Sequence, residues 1–129
     1  MASIENMIAA SVWKACLEVH RTLGPNLLEK IYEDCVIIEL QKLGHEVRQQ
    51  AAVPFYYKGQ RLTRTYYIDT LVDEHVVLEF KVVSQLLPVH KAQLLSYLRL
   101  TGLRLGLLIN FGAPLMVDGF RRVANGLED

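Results

Sequence analysis

Apolar positions recur along the chain with two periods, and the switch between them divides it. Ile4, Ile8, Val12, Cys16 and Val19 are spaced three or four residues apart, which predicts an amphipathic helix over about residues 4–21. Leu23-Gly24-Pro25 ends it, because glycine suits a helix C-terminal turn and proline cannot continue the hydrogen-bonded ladder. Asn26 is placed to cap a second helix that runs to about Leu43 and stops at Gly44. One stripe of that helix is Leu28, Ile31, Cys35 and Ile38; an adjoining one is Glu29, Tyr32, Val36 and Leu40.

From Glu46 to Tyr57 the period falls to two, with Val47, Gln49, Ala51 and Val53 on one face. Pro54 marks an edge or bend, and Lys58-Gly59 a turn. A second strand is predicted over Arg61–Val72, a hairpin turn at Asp73-Glu74-His75 and a third strand over Val76–Val83. Pro88 suits the first turn of a helix continuing to about Thr101, which Gly102 breaks. Leu103 to Phe111 is almost continuously apolar, as expected of a strand covered on both faces. Val117, Phe120 and Val123 show no clear period and predict a short strand or helix at the sheet edge. This order (helix, helix, three strands, helix, strand) predicts an α/β fold with a mixed sheet sandwiched by helices.

Composition narrows this picture. A chain of 129 residues, 51% hydrophobic and 22% charged, suits one domain spanning residues 1–129. No apolar run reaches the roughly 18 residues of a membrane span. The first 20 residues lack a basic n-region and contain Glu5, Lys14 and Glu18; they read as an amphipathic helix rather than a signal peptide. The expectation is a cytoplasmic protein without membrane contact. Cys16 and Cys35 lie in helical patterns and are expected to be reduced core residues. The absence of CxxC spacing argues against a zinc or iron–sulfur site. The 14 basic and 14 acidic residues cancel, which disfavours a non-specific, tight nucleic-acid binder. A nuclease remains open, since a bound divalent ion supplies positive charge of its own.

The polar residues inside the strand-like runs carry the chemistry. In the second strand Tyr67, Asp69 and Leu71 share a face; in the third, Val77, Glu79 and Lys81 share one while Val76, Leu78, Phe80 and Val82 share the other. Charges flanked by apolar neighbours are costly unless they reach water or satisfy one another. The hairpin would bring Asp69 and Glu79 together on neighbouring strands, where both could approach one cation. Mg²⁺ prefers such oxygen donors, and Lys81 would lie on the same side. The competing reading is a solvated salt-bridge ladder. Gln93 and Tyr97, four residues apart, share a face of the third helix. Glu29 opens the second helix, either complementing its dipole or serving the site.

Together Glu29, Asp69, Glu79-Phe80-Lys81 and Gln93-Leu94-Leu95-Ser96-Tyr97 resemble the PD-(D/E)XK nuclease superfamily, with Q-x-x-x-Y similar to its RecB-like branch. Asn26 to Tyr32 and Pro88 to Gly112 resemble the GxxExxY family, and the likeness runs from about Val19 to Val123. The resemblance implies a restriction-endonuclease-like α-β-β-β-α-β core with an extra N-terminal helix. It implies Mg²⁺ or Mn²⁺ held by Asp69 and Glu79, with Glu29 and the Phe80 carbonyl as further ligands. Lys81 would act on the attacking water, with Gln93 and Tyr97 as supports. Asn26 stands where the hallmark has glycine, and Ile68 where proline often precedes the aspartate. His20 is either a helix C-terminal histidine or an upstream member of the site.

Three readings follow. The first is a metal-dependent nuclease acting on nucleic acid, chiefly DNA, with Lys58, Arg61, Arg64, His90 and Lys91 as candidate phosphate contacts. The second is a catalytically silent nucleic-acid-binding or protein-interaction module on the same fold. The third is a component that works as a homodimer or beside a larger partner, through an apolar patch around Val12 and Trp13.

Overall fold

A computed structural model describes residues 3–127. Helix α1 (Ile4–Leu23) starts at Ser3, whose hydroxyl accepts a hydrogen bond from the Asn6 N–H at 3.1 Å, relieving one unpaired donor of the first turn. It ends at Gly24, where φ is 72°. Helix α2 covers Glu29–Lys42. Strands β1 (Val47–Val53), β4 (Tyr66–Val72) and β5 (Val76–Lys81) form a meander. A small separate hairpin, β2 (Tyr56–Tyr57) and β3 (Gln60–Arg61), is inserted after β1. Helix α3 (Pro88–Thr101) crosses over to β6 (Leu105–Asn110), which runs parallel to β5. A short helix α4 (Met116–Gly119) leads into the edge strand β7 (Phe120–Ala124).

The five-stranded sheet has the order β1-β4-β5-β6-β7, mixed in direction, with helices on both faces. Alternation decides which residue meets which helix. Val76, Leu78 and Phe80 of β5 and Leu105, Leu107 and Ile109 of β6 pack with α1 and α2. Val77 and Leu108 turn the other way and pack with Leu94 and Leu98 of α3. The run α2-β1-β4-β5-α3-β6 is the expected α-β-β-β-α-β core, with α1 as the extra helix. Among the described residues no helix is long and apolar enough to cross a membrane.

Several expectations change. Asn26 does not cap α2: Leu28 takes the cap position without a side-chain bond. Asn26 instead has φ 69° and donates its N–H to the Phe111 carbonyl at 3.1 Å. A left-handed backbone there accounts for a glycine in the hallmark, and asparagine tolerates it better than most residues. The buried stripe of α2 is Tyr32, Val36 and Leu40, whereas Leu28, Ile31 and Ile38 are exposed. Arg61–Val72 is not one strand, since residues 62–65 separate β3 from β4. The hairpin turn falls as expected, with positive φ at Asp73 and Glu74. Asp73 stabilises it by bonding the Glu46 N–H at 2.8 Å and His45 at 2.5 Å. Val12 is fully buried and so belongs to no exposed patch, while half-buried Trp13 packs edge-on against Phe120 at 5.1 Å. Cys16 is buried, which raises its thiol pKa, and both cysteines are free.

Candidate active site

Strands β4 and β5 pair at Val72↔Val76, Leu71↔Val77 and Thr70↔Leu78 and then part. Asp69 and Glu79 hold the next register position, at the fork. Together with Tyr67, Ile68, Val77 and Tyr97 they line a small cleft of about 50 Å³. A fork of this kind frees side chains from cross-strand packing while the paired segment behind it fixes their direction. Lys81, two residues along β5, points to the same face, with its Nζ 3.5 Å from Glu79 Oε1. About three-quarters or more of each of these two side chains is withdrawn from solvent.

Burial pushes the Glu79 carboxyl above the usual carboxylate range; Lys81 opposes this, while Asp69 and then Glu29 reinforce it. Glu79 therefore sits where a negative charge is poorly tolerated without more positive charge than one lysine provides. Two hard oxygen donors under mutual repulsion beside an amine suit a divalent cation whose remaining positions are taken by water. Glu29, exposed at the first position of α2, is close enough to be felt by Glu79 but completes no cage. Among the described residues no three His, Cys, Asp or Glu side chains gather closely enough to hold an ion alone. The Phe80 ring is buried on the opposite face of β5, 6.3 Å from that of Phe111, so only its backbone carbonyl could serve a ligand. Gln93 is exposed one turn before Tyr97, and its side chain makes no hydrogen bond among the described residues.

The supports of this site come partly from residues that sequence reading passes over. Gln50 stands at the register position opposite Asp69 in β1, with φ 49°. Its Nε2 donates to Asp69 Oδ1 at 3.0 Å, fixing one carboxylate oxygen. Strict alternation from Leu71 would turn Ile68 away from α3, yet it packs in the α3-side cluster; the distortion at Gln50 lies beside that break. Glu33, 3% exposed, accepts from Lys30 at 3.1 Å, Thr70 at 3.0 Å and Gln49 at 3.3 Å. It thereby ties α2 to the strand neighbours of Asp69 and Gln50, and its bond raises the Lys30 pKa. Asn110 is buried, bonding the Val83 N–H at 3.0 Å, the Val83 carbonyl at 2.9 Å and the Gly112 N–H at 2.8 Å. This staples the chain beyond Lys81 to the end of β6. One signal was available in the sequence: Asn110 is a lone amide inside an apolar run. Glu33 and Gln50 offered none.

Tyr32 has a structural part. Its ring stacks on Phe111 at 4.1 Å, while its hydroxyl donates to the Gly24 carbonyl at 2.5 Å and accepts from the Leu27 N–H at 3.0 Å. It sets the loop that delivers Glu29. His20 bonds the Ala113 carbonyl at 3.0 Å from the last turn of α1, the structural one of its two expected parts. His90 accepts from the Leu87 N–H at 3.0 Å and so belongs to the α3 N-terminal turn.

Residues 6–123 match the sequence profile of the PD-(D/E)XK nuclease superfamily. The chain belongs to this superfamily. Its members generally use divalent metal ions to hydrolyse phosphodiester bonds; within the matched region the structure sets Asp69 and Glu79 at the fork with Lys81 beside Glu79. No curated protein and no solved structure matches the chain.

Proposed function

We propose that this PD-(D/E)XK protein is an active Mg²⁺- or Mn²⁺-dependent nuclease whose substrate is DNA, of the RecB-like branch and the GxxExxY family. The observation that carries the reading is the fork, where Asp69 and Glu79 fall side by side with Lys81 3.5 Å from Glu79. Asp69 and Glu79 would hold the ion, with Glu29 and the Phe80 carbonyl as further ligands. When bound, the ion would activate water and offset charge developing on the phosphate. Lys81 would orient the attacking water or offset charge on the phosphate. Tyr97 borders the cleft, and Gln93, exposed one turn earlier on the same helix, would support the substrate.

The test is DNA cleavage by metal-stripped protein after addition of Mg²⁺ or Mn²⁺. Lys81→Ala and Asp69→Ala should each lose at least about a hundredfold, the lower bound for a positioned group that moves or orients a proton. Cleavage undiminished in both variants would overturn the proposal. Among the described residues no third carboxylate gathers with Asp69 and Glu79, which favours one alternative, a silent binding module. Its signature is nucleic-acid binding without turnover and no divalent site by calorimetry.

A further inference from the structure

The chain has six tyrosines, and five of them, Tyr56, Tyr57, Tyr66, Tyr67 and Tyr97, are exposed. Single exposed aromatic residues are ordinary, but these five lie on β2, β4 and α3, segments that meet at Phe55. Buried Phe55 stacks on Tyr66 at 4.7 Å and meets Tyr97 at 6.1 Å. It immediately precedes Tyr56 and Tyr57 on the β2–β3 hairpin. Tyr67 and Tyr97 in turn line the cleft that holds Asp69 and Glu79. The aromatic surface thus runs from the hairpin to the candidate catalytic carboxylates.

Charge is unevenly distributed along the chain. No Asp or Glu occurs between Glu46 and Asp69, or between Glu79 and Asp118, yet each interval carries four of the chain's 14 Lys and Arg residues. The neutral total conceals this segregation, because the acids are concentrated in α1, α2 and the turns. Among the described residues Lys58, Arg61 and Arg64 enter no ion pair, and Lys58 lies over the Tyr57 ring at 5.4 Å. Aromatic faces interleaved with unpaired cations suit a polymer with π-faces and phosphates at alternating positions. A duplex keeps its base faces stacked inside and offers none to tyrosine.

We propose that this surface is a stacking platform for the unpaired bases of a single nucleic-acid strand, which it leads into the cleft between Asp69 and Glu79. The destination of the strand rests on the nuclease reading; the binding does not. The test is fluorescence anisotropy in EDTA, where metal-dependent cleavage cannot occur. The probes are labelled oligothymidylate and oligouridylate of roughly 20 nucleotides and a DNA duplex of the same length, longer than the roughly 4–16 nucleotides of a typical single-strand site.

The single strand should bind at least about tenfold more tightly than the duplex, and Tyr57→Ala should weaken it roughly tenfold, as expected for loss of one stacked base. Tyr57→Phe should retain binding, because stacking needs the ring and not the hydroxyl. Arg61→Ala should reduce the slope of log affinity against log salt by about 0.7. A preference between the two oligonucleotides identifies the natural polymer, and either preference supports the platform. Equal or tighter duplex binding, or wild-type affinity in a Tyr56→Ala/Tyr57→Ala double variant, would overturn it. Tyrosine-dependent strand binding without cleavage in Mn²⁺ would leave the platform standing and remove hydrolysis. Duplex cleavage indifferent to the tyrosines would do the reverse.

Discussion

Gly106 offers a sharp test of how α3 is held over the sheet. A Cβ built on this residue would lie 2.8 Å from Cγ and Cδ1 of Leu94 and 2.9 Å from its Cδ2. Leu94 is 1% exposed and has little room to yield. Gly106→Ala should therefore overpack the contact and cost about 1–3 kcal/mol. Leu94→Ala alone should cost about 2–5 kcal/mol by opening a cavity. In the double variant the new methyl occupies space that leucine has left. There Gly106→Ala should be neutral or stabilising by about 1 kcal/mol, from one buried carbon and a less flexible unfolded strand residue. The coupling would be about 1–4 kcal/mol, of the order found for residues in direct contact. Urea unfolding of the four proteins measures it, provided the m-values agree. Gln93 and Tyr97 flank Leu94 on α3, so cleavage should fall in Gly106→Ala and recover in the double variant. An equal penalty for Gly106→Ala in both backgrounds would refute this packing account.

Two further predictions concern the site. Glu79 has a raised carboxyl pKa when no cation is bound, so the folded state holds its proton more tightly than the unfolded chain. That preference contributes stability below the unfolded pKa and is lost as pH rises through the folded value. Glu79→Gln should thus melt at a higher temperature than wild type in EDTA at neutral pH. The gap should close on acidification below the ordinary glutamate pKa of about 4; a gap independent of pH would count against the burial account. Gln50→Gly keeps a residue that accepts φ 49° but removes the amide that holds Asp69. Mn²⁺ affinity by calorimetry should fall about tenfold to a hundredfold, as for other partners that orient a metal ligand. Unchanged affinity would show that Asp69 needs no such support.

Local patterns made much of the fold legible. The turn at Asp73-Glu74-His75, the break at Gly102 and the opposed faces of β5 all lie where short-range periodicity and backbone chemistry put them. The candidate Asp69, Glu79 and Lys81 could be singled out because charge in a strand-like apolar run is costly. Which stripe of α2 is buried could not be read, because two adjoining stripes are both partly apolar and only docking on α1 and the sheet chooses between them. Nothing in the sequence marks Glu33, because its partners Thr70 and Gln49 are distant along the chain.

The sequence by itself determined most helix and strand positions and the opposed faces of β5, since these depend on side-chain spacing a few residues long. In β4 it did not, because Ile68 shares the α3 side with Leu71 against strict alternation. Only the tertiary structure decided that β4 and β5 part immediately beyond Thr70 and Leu78, that Gln50 braces Asp69, and that Tyr67 and Tyr97 line the cleft with the carboxylates while Phe55 joins Tyr97 to Tyr66. Those facts depend on register and docking between segments far apart along the chain. The free energy that fixes them comes from burying all the elements together, so no single stretch encodes them.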